Sequence, residues 1–179
     1  MDNFKNIFDL TGKTALVVGG GGLGLPIAQA LMQNGADIII AGRTAPGDDF
    51  AHLCQLQGRK YFFVEVDLLN EDSIIAMVAK AKEKAGRIDI LVNAAGVNKL
   101  IKAEEYDSTS WDFVMDTNLR GVVLTTREVG KIMIQQQYGR ILSLSSVKAF
   151  IGTDQDYTAY CASIAGLNMY TKQLACEWG

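Results

Sequence analysis

The chain has 179 residues, of which 49% are hydrophobic and 21% charged, with 18 Gly, 2 Pro, 3 Cys and a formal net charge of −3. These values fit one ordinary globular domain and exclude a collagen-like repeat, a disordered tail and a disulfide scaffold. A mildly acidic chain also lacks the basic face that nucleic acid or an anionic membrane requires. No apolar run approaches the roughly 18 residues of a membrane span. The start, Met1-Asp2-Asn3-Phe4-Lys5, has no signal-peptide core. Cys54, Cys161 and Cys176 are odd in number and widely spaced, so reduced thiols in a cytoplasmic protein are expected, not staples or metal ligands.

Thr14 to Gly19 is a continuous apolar run of strand length closed by glycine, the pattern of a strand buried on both faces of a parallel sheet. A helix is expected over Leu23 to Asn34, with Leu23, Ile27, Ala30 and Leu31 on one face, Pro26 in its first turn and Gly35 as its stop. Asp37 to Ala41 reads as a second strand, Asp48 to Gln57 as a weakly patterned helix and Tyr61 to Val66 as a third strand. Asn70 can cap a helix reaching Ala85, with Ile74, Val78 and Ala81 inward. Ile88 to Val92 is the fourth strand. Ser108 to Gln137 is helical with a break near Asn118 to Gly121, Arg140 to Ser145 is the fifth strand, and Tyr157 to Trp178 is the last helix. Strands alternating with helices at this spacing predict βαβ units with right-handed crossovers, hence one α/β domain over residues 1–179.

Between the first strand and its helix lies Gly19-Gly20-Gly21-Gly22-Leu23-Gly24, which satisfies G-x-G-x-x-G through Gly19, Gly21 and Gly24. That position asks for glycine so that the turn closes, the backbone approaches a pyrophosphate, and the helix packs tightly on its strand. The helix N-terminus then offers free N–H groups to phosphate. A phosphate-loop nucleotidase is excluded because G-K-[ST] is missing. The ribose is read just past the second strand, where Ala41-Gly42-Arg43-Thr44 holds no acid for a 2′-hydroxyl. Arg43 either pairs with a 2′-phosphate, favouring NADP over NAD, or is a solvated loop charge. Asp67 either bonds an adenine amino group or caps the next helix.

The glycine turn, Asp67-Leu68, Asn93-Ala94-Ala95-Gly96, Asn118 within Met115 to Gly121, Ser145-Ser146 and Tyr160-Cys-Ala-Ser163 occur in one order along the chain. In this the chain resembles the classical short-chain dehydrogenase/reductase family, with its sugar-acid members such as gluconate 5-dehydrogenase the nearest in flavour. The resemblance implies a Rossmann-type doubly wound parallel sheet of strand order 3-2-1-4-5, with the family's C-terminal strands missing and the fifth strand a bare edge. It implies a cofactor site at Gly19, Gly21, Gly22, Leu23, Gly24, Arg43, Asp67, Leu68, Asn93, Ala94 and Gly96. Ser146 would bond the substrate oxygen, Tyr160 would be its proton donor or acceptor, and Asn118 would support a relay water through its kinked helix.

Two departures stand out. The glycine motif is one residue shorter than the family's and lacks its threonine. More seriously, the family's lysine, four residues after the tyrosine, is Ile164 here. A lysine there would lower the phenol pKa from about 10 and donate to the ribose, and isoleucine does neither. Lys148 and Lys172 lie elsewhere in the pattern. His52, the only histidine, is expected on a helix face, which leaves no histidine-based triad or metal site.

The expected activity is NAD(P)-dependent hydride transfer between nicotinamide and a small alcohol or ketone, possibly a sugar acid or polyol. The alternative is a dinucleotide-binding pseudoenzyme or a defective fragment. The expected partner is a small-molecule substrate, and the family resemblance implies a homodimer or homotetramer through the 121–137 and 158–178 helices, whose apolar faces otherwise pack against the sheet.

Overall fold

The computed structural model describes residues 7–179. The stretch Met1 to Lys5, considered above for a signal core, lies outside the described residues. Five strands, β1 (Thr14–Val18), β2 (Asp37–Gly42), β3 (Tyr61–Glu65), β4 (Ile90–Asn93) and β5 (Arg140–Ser143), form one sheet in the order β3-β2-β1-β4-β5. Every pairing is parallel. The helices are α1 (Gly24–Gln33), α2 (Asp48–Leu56), α3 (Glu71–Ala85), α4 (Ser108–Met115), α5 (Gly121–Gln136) and α6 (Thr158–Trp178).

β1 is buried along its whole length because helices cover both faces of the sheet. Leu16 and Val18 join a core with Ile39 and Ala41 of β2, Ile74, Met77 and Val78 of α3, and Val129 and Met133 of α5. Ala15 and Val17 point the other way, onto Ala28 and Met32 of α1 and Phe50 and Cys54 of α2. The period of two is therefore present in the structure, although both sets of side chains are apolar. α6 builds a third, smaller cluster in which Ile164 and Leu167 meet Val122 of α5.

The elements begin and end close to where the sequence places them, and their caps are chemical. Asn70 accepts from the Ser73 N–H at 3.1 Å, and Gly86 ends α3 in the left-handed region at φ 75°. The expected helix break is a five-residue π turn, Asp116–Arg120, between α4 and α5. One expectation is corrected in part. Ile27 and Leu31 of the expected α1 face do pack on the core, but the helix buries Gly24, Ala28 and Met32, while Leu23 is 68% exposed and Ala30 faces solvent. Gly24 sets this rotation, because it is where the helix passes closest to the carbonyl of Gly19. β5 also stops at Ser143, so Leu144 to Ser146 form a loop. Among the described residues β5 pairs with β4 alone, and Leu142 on it is 51% exposed.

Candidate active site

In a sheet wound both ways from β1, the loops after β1 and β4 leave in opposite directions and open a crevice at the strands' carboxyl ends. A cleft of about 1010 Å³ occupies that position, and it runs from the glycine turn and Arg43 past Asp67 to Ser146, Tyr160 and Ile164. Gly19 has φ 102° and donates to the Ala41 carbonyl at 2.7 Å; a Cβ there would lie 2.5 Å from the Ala95 nitrogen. At Gly24 a Cβ would overlap the Gly19 carbonyl oxygen. Close packing therefore requires both glycines. Gly21 differs: it lines the cleft, its φ is not positive, and nothing lies within 4 Å of where its Cβ would be. A cradle with that free space at the start of a helix fits a pyrophosphate. No side chain caps α1 and its first turn holds no acid, so its partial positive charge is left for an anion.

Arg43, exposed at the end of β2, and Asp67, after β3, line the same end of the cleft. Asp67 Oδ1 accepts from the Leu69 N–H at 3.0 Å, whereas capping of α3 falls to Asn70. The carboxylate thus fixes its own turn while remaining on the cleft wall. Gly22, Leu23, Leu68, Ala94 and Gly96 also line the cleft.

Asn93 and Asn118 lie behind the wall. Asn93, 3% exposed, donates through Nδ2 to Thr126 Oγ1 at 3.2 Å and to Ser143 Oγ at 3.1 Å, which ties β4 to β5 and α5. The Ala94 and Ala95 N–H groups both donate to the Val18 carbonyl and hold this loop to β1. Asn118, 1% exposed, accepts from the Val97 N–H and donates to the Val97 carbonyl, each at 2.8 Å, and donates to Ser163 Oγ at 3.1 Å. Both amide protons of this side chain and one acceptor site of its oxygen are thus used to anchor the 97 loop and reach α6.

At the far end, Ser146 Oγ accepts from the Lys148 N–H at 3.2 Å, which leaves its own proton to give away. Ser145 Oγ turns aside to Asn168 Oδ1 at 2.7 Å. The ring of Tyr160 packs edge-on against that of Tyr157, with centroids 5.9 Å apart, and its hydroxyl has no hydrogen-bond partner among the described residues. Ile164, one helical turn on, is 4% exposed and packs with Val122, Leu167, Leu119 and Tyr160. Lys148, which the sequence places away from the position of the missing lysine, lines the same cleft. Its Nζ sits 4.4 Å from the Tyr157 ring centroid and donates to Thr153 Oγ1 at 2.7 Å. The only available signal was its spacing, two residues past Ser146 in a tight turn.

His52 lies exposed on α2, and Cys54, Cys161 and Cys176 are free thiols. Among the described residues no cluster of His, Cys, Asp and Glu is placed to hold a metal. Also among them, no helix is long and apolar enough to cross a membrane.

A glycine cradle at the switch point of a parallel sheet, continuous with a serine and a tyrosine, defines a dinucleotide-binding α/β protein of the oxidoreductase class. The short chain dehydrogenase family profile matches residues 13–179, and the chain belongs to that family. It is 39% identical to the D-threitol dehydrogenase of Mycolicibacterium smegmatis, over 96% of this chain and 66% of that protein. It is 32% identical to the gluconate 5-dehydrogenase of Gluconobacter oxydans, over 97% of this chain and 68% of that one. An Agrobacterium tumefaciens structure with bound NADP superposes with TM-score 0.86 at 32% identity, over 97% of this chain and 69% of the other. The chain spans about two thirds of the length of the curated relatives it matches.

Proposed function

We propose that the protein interconverts a small alcohol and ketone of the sugar-acid or polyol kind with NAD(P), and that NADP is preferred. The observation that carries this reading is the continuity of one cleft from the Gly19–Gly24 cradle to Ser146 and Tyr160. When bound there, the nicotinamide supplies or accepts the hydride. The cradle and the α1 N-terminus would hold the phosphates, and Arg43 would hold a 2′-phosphate. Ser146, with its hydroxyl proton free, donates to the substrate oxygen. Tyr160 gives that oxygen its proton in reduction and removes it in oxidation. Ile164 places an apolar side chain and no ammonium beside Tyr160, which favours the reduction direction, in which the tyrosine is the proton donor.

Ile164 also favours a second reading, a module that binds the dinucleotide without efficient turnover. NADPH and NADH titrations followed by a ketone panel separate the two. Binding with turnover supports the enzyme, binding alone supports the module, and no binding removes both. Pairing of two copies through the 121–137 and 158–178 helices is supported by Ile134, 56% exposed, and Met169, 61% exposed. Analytical ultracentrifugation tests it, with a monomer at micromolar concentration as the contrary result.

A further inference from the structure

We propose that Lys148 is a specificity-determining residue that selects substrates bearing a carboxylate over uncharged polyols of the same size; this rests on the alcohol–ketone reading above. Among the described residues three charged side chains line the cleft, Arg43, Asp67 and Lys148. Arg43 and Asp67 stand after β2 and β3, at the end given to the cofactor. Lys148 is the one charge at the end that holds Ser146 and Tyr160, two residues from the first, and its backbone N–H donates to Ser146 Oγ.

The ammonium is held in place rather than left to wander. Thr153 Oγ1 accepts one of its protons at 2.7 Å, and the Tyr157 ring lies 4.4 Å beneath it. An ammonium has three donors, so two remain for a ligand. No hydrogen bond or cation–π contact joins it to Tyr160; Tyr157 is the ring that touches both. Lys148 therefore does not fill the place of the lysine that Ile164 displaces, and its charge is available to substrate. The acids of the neighbouring loop, Asp154 and Asp156, are exposed, do not line the cleft and make no contact with the amine. A substrate oxygen between Ser146 and Tyr160 brings its substituents to this wall, where a carboxylate gains a charge-assisted hydrogen bond and meets no like charge.

Calorimetric titration of D-gluconate and D-glucitol tests this, since the two differ only in a carboxylate against a hydroxymethyl group. Each is titrated into protein saturated with NADP+ and into protein alone. The wild type is expected to bind gluconate at least about tenfold tighter than glucitol, as one charged hydrogen bond allows. Lys148→Met should remove that preference while glucitol binding changes less than about twofold, and Lys148→Arg should keep it. Raising the salt concentration should narrow the wild-type preference, a measurement that needs no variant to fold. The proposal is overturned if the wild type does not prefer gluconate, including by binding neither compound, if salt leaves the preference untouched, or if folded Lys148→Met retains it. Failure of the hydride reading looks different: NADP+ does not bind, whatever gluconate does with protein alone.

Discussion

Replacing Ile164 by lysine restores a cation one helical turn from Tyr160, and the structure indicates what that does to stability and to rate. Ile164 is 4% exposed, but it lies on the cleft wall, so a lysine stem can follow the same apolar surface while its ammonium reaches the cleft. Burying an isoleucine fully is worth about 1.5–3 kcal/mol, and the lysine methylenes recover much of that. A net loss of about 1 kcal/mol lowers Tm by roughly 2–4 °C in a domain of this size. The catalytic gain is larger. An ammonium about 4 Å from a developing phenolate interacts by roughly 4 kcal/mol at an effective dielectric constant near 20, and well-placed acid–base help is worth about 10²–10⁴-fold. Even partial recovery gives at least about tenfold in kcat. The assay is NADPH oxidation at saturating ketone, with Ile164→Met as a control that changes shape without charge. Equal kcat in wild type and lysine variant, or the same gain with methionine, refutes the reasoning.

The glycine turn separates packing from binding. Gly24→Ala puts a methyl onto the Gly19 carbonyl and should unfold the turn, whereas Gly21→Ala meets no protein atom and should keep its Tm while binding NADPH at least about tenfold more weakly, read by titration and melting. Arg43→Ala should cost about tenfold in NADPH affinity and leave NADH unchanged, a modest effect because Arg43 is exposed. Asp89 is fully buried, accepts from the Thr14 N–H at 2.9 Å and binds Arg87 at 2.6 and 2.7 Å. Burial pushes its pKa up, but the Arg87 hydrogen bond, the Thr14 N–H and the charges of Arg87 and Lys13 outweigh this and hold it below the usual carboxylate range. Its stabilisation is thus present above the ordinary Asp value and lost as pH falls through the lower folded value. Asp89→Asn should cost about 2 kcal/mol near neutral pH, and the gap in melting temperature should begin to narrow only as pH falls below about 4 and close below the lower folded value.

Much of this fold was legible because its strands are buried on both sides. A run such as Thr14 to Val18 has few other uses, and Gly86 and Asn70 mark the ends of α3 through local chemistry. The break expected near Asn118 to Gly121 is present as the π turn between α4 and α5. The rotation of α1 was not, because hydrophobic periodicity ranks Leu23 and Ile27 above Gly24, while steric contact with Gly19 decides the face. Asn118 appeared as a functional position, but its bonds to Val97 and Ser163 span 21 and 45 residues and had no local signature. Lys148 was missed because its place depends on the Val147–Ala149 turn and on a tyrosine nine residues ahead of it.

Single-turnover oxidation of protein-bound NADPH by a ketone panel, in wild type and Tyr160→Phe, tests most directly the claim that one cleft joins a dinucleotide cradle to an acid–base tyrosine. Both proteins should bind NADPH saturably with the same affinity, and the wild type should consume it at least about 100-fold faster. Absence of saturable binding, or equal rates of consumption, would contradict the account.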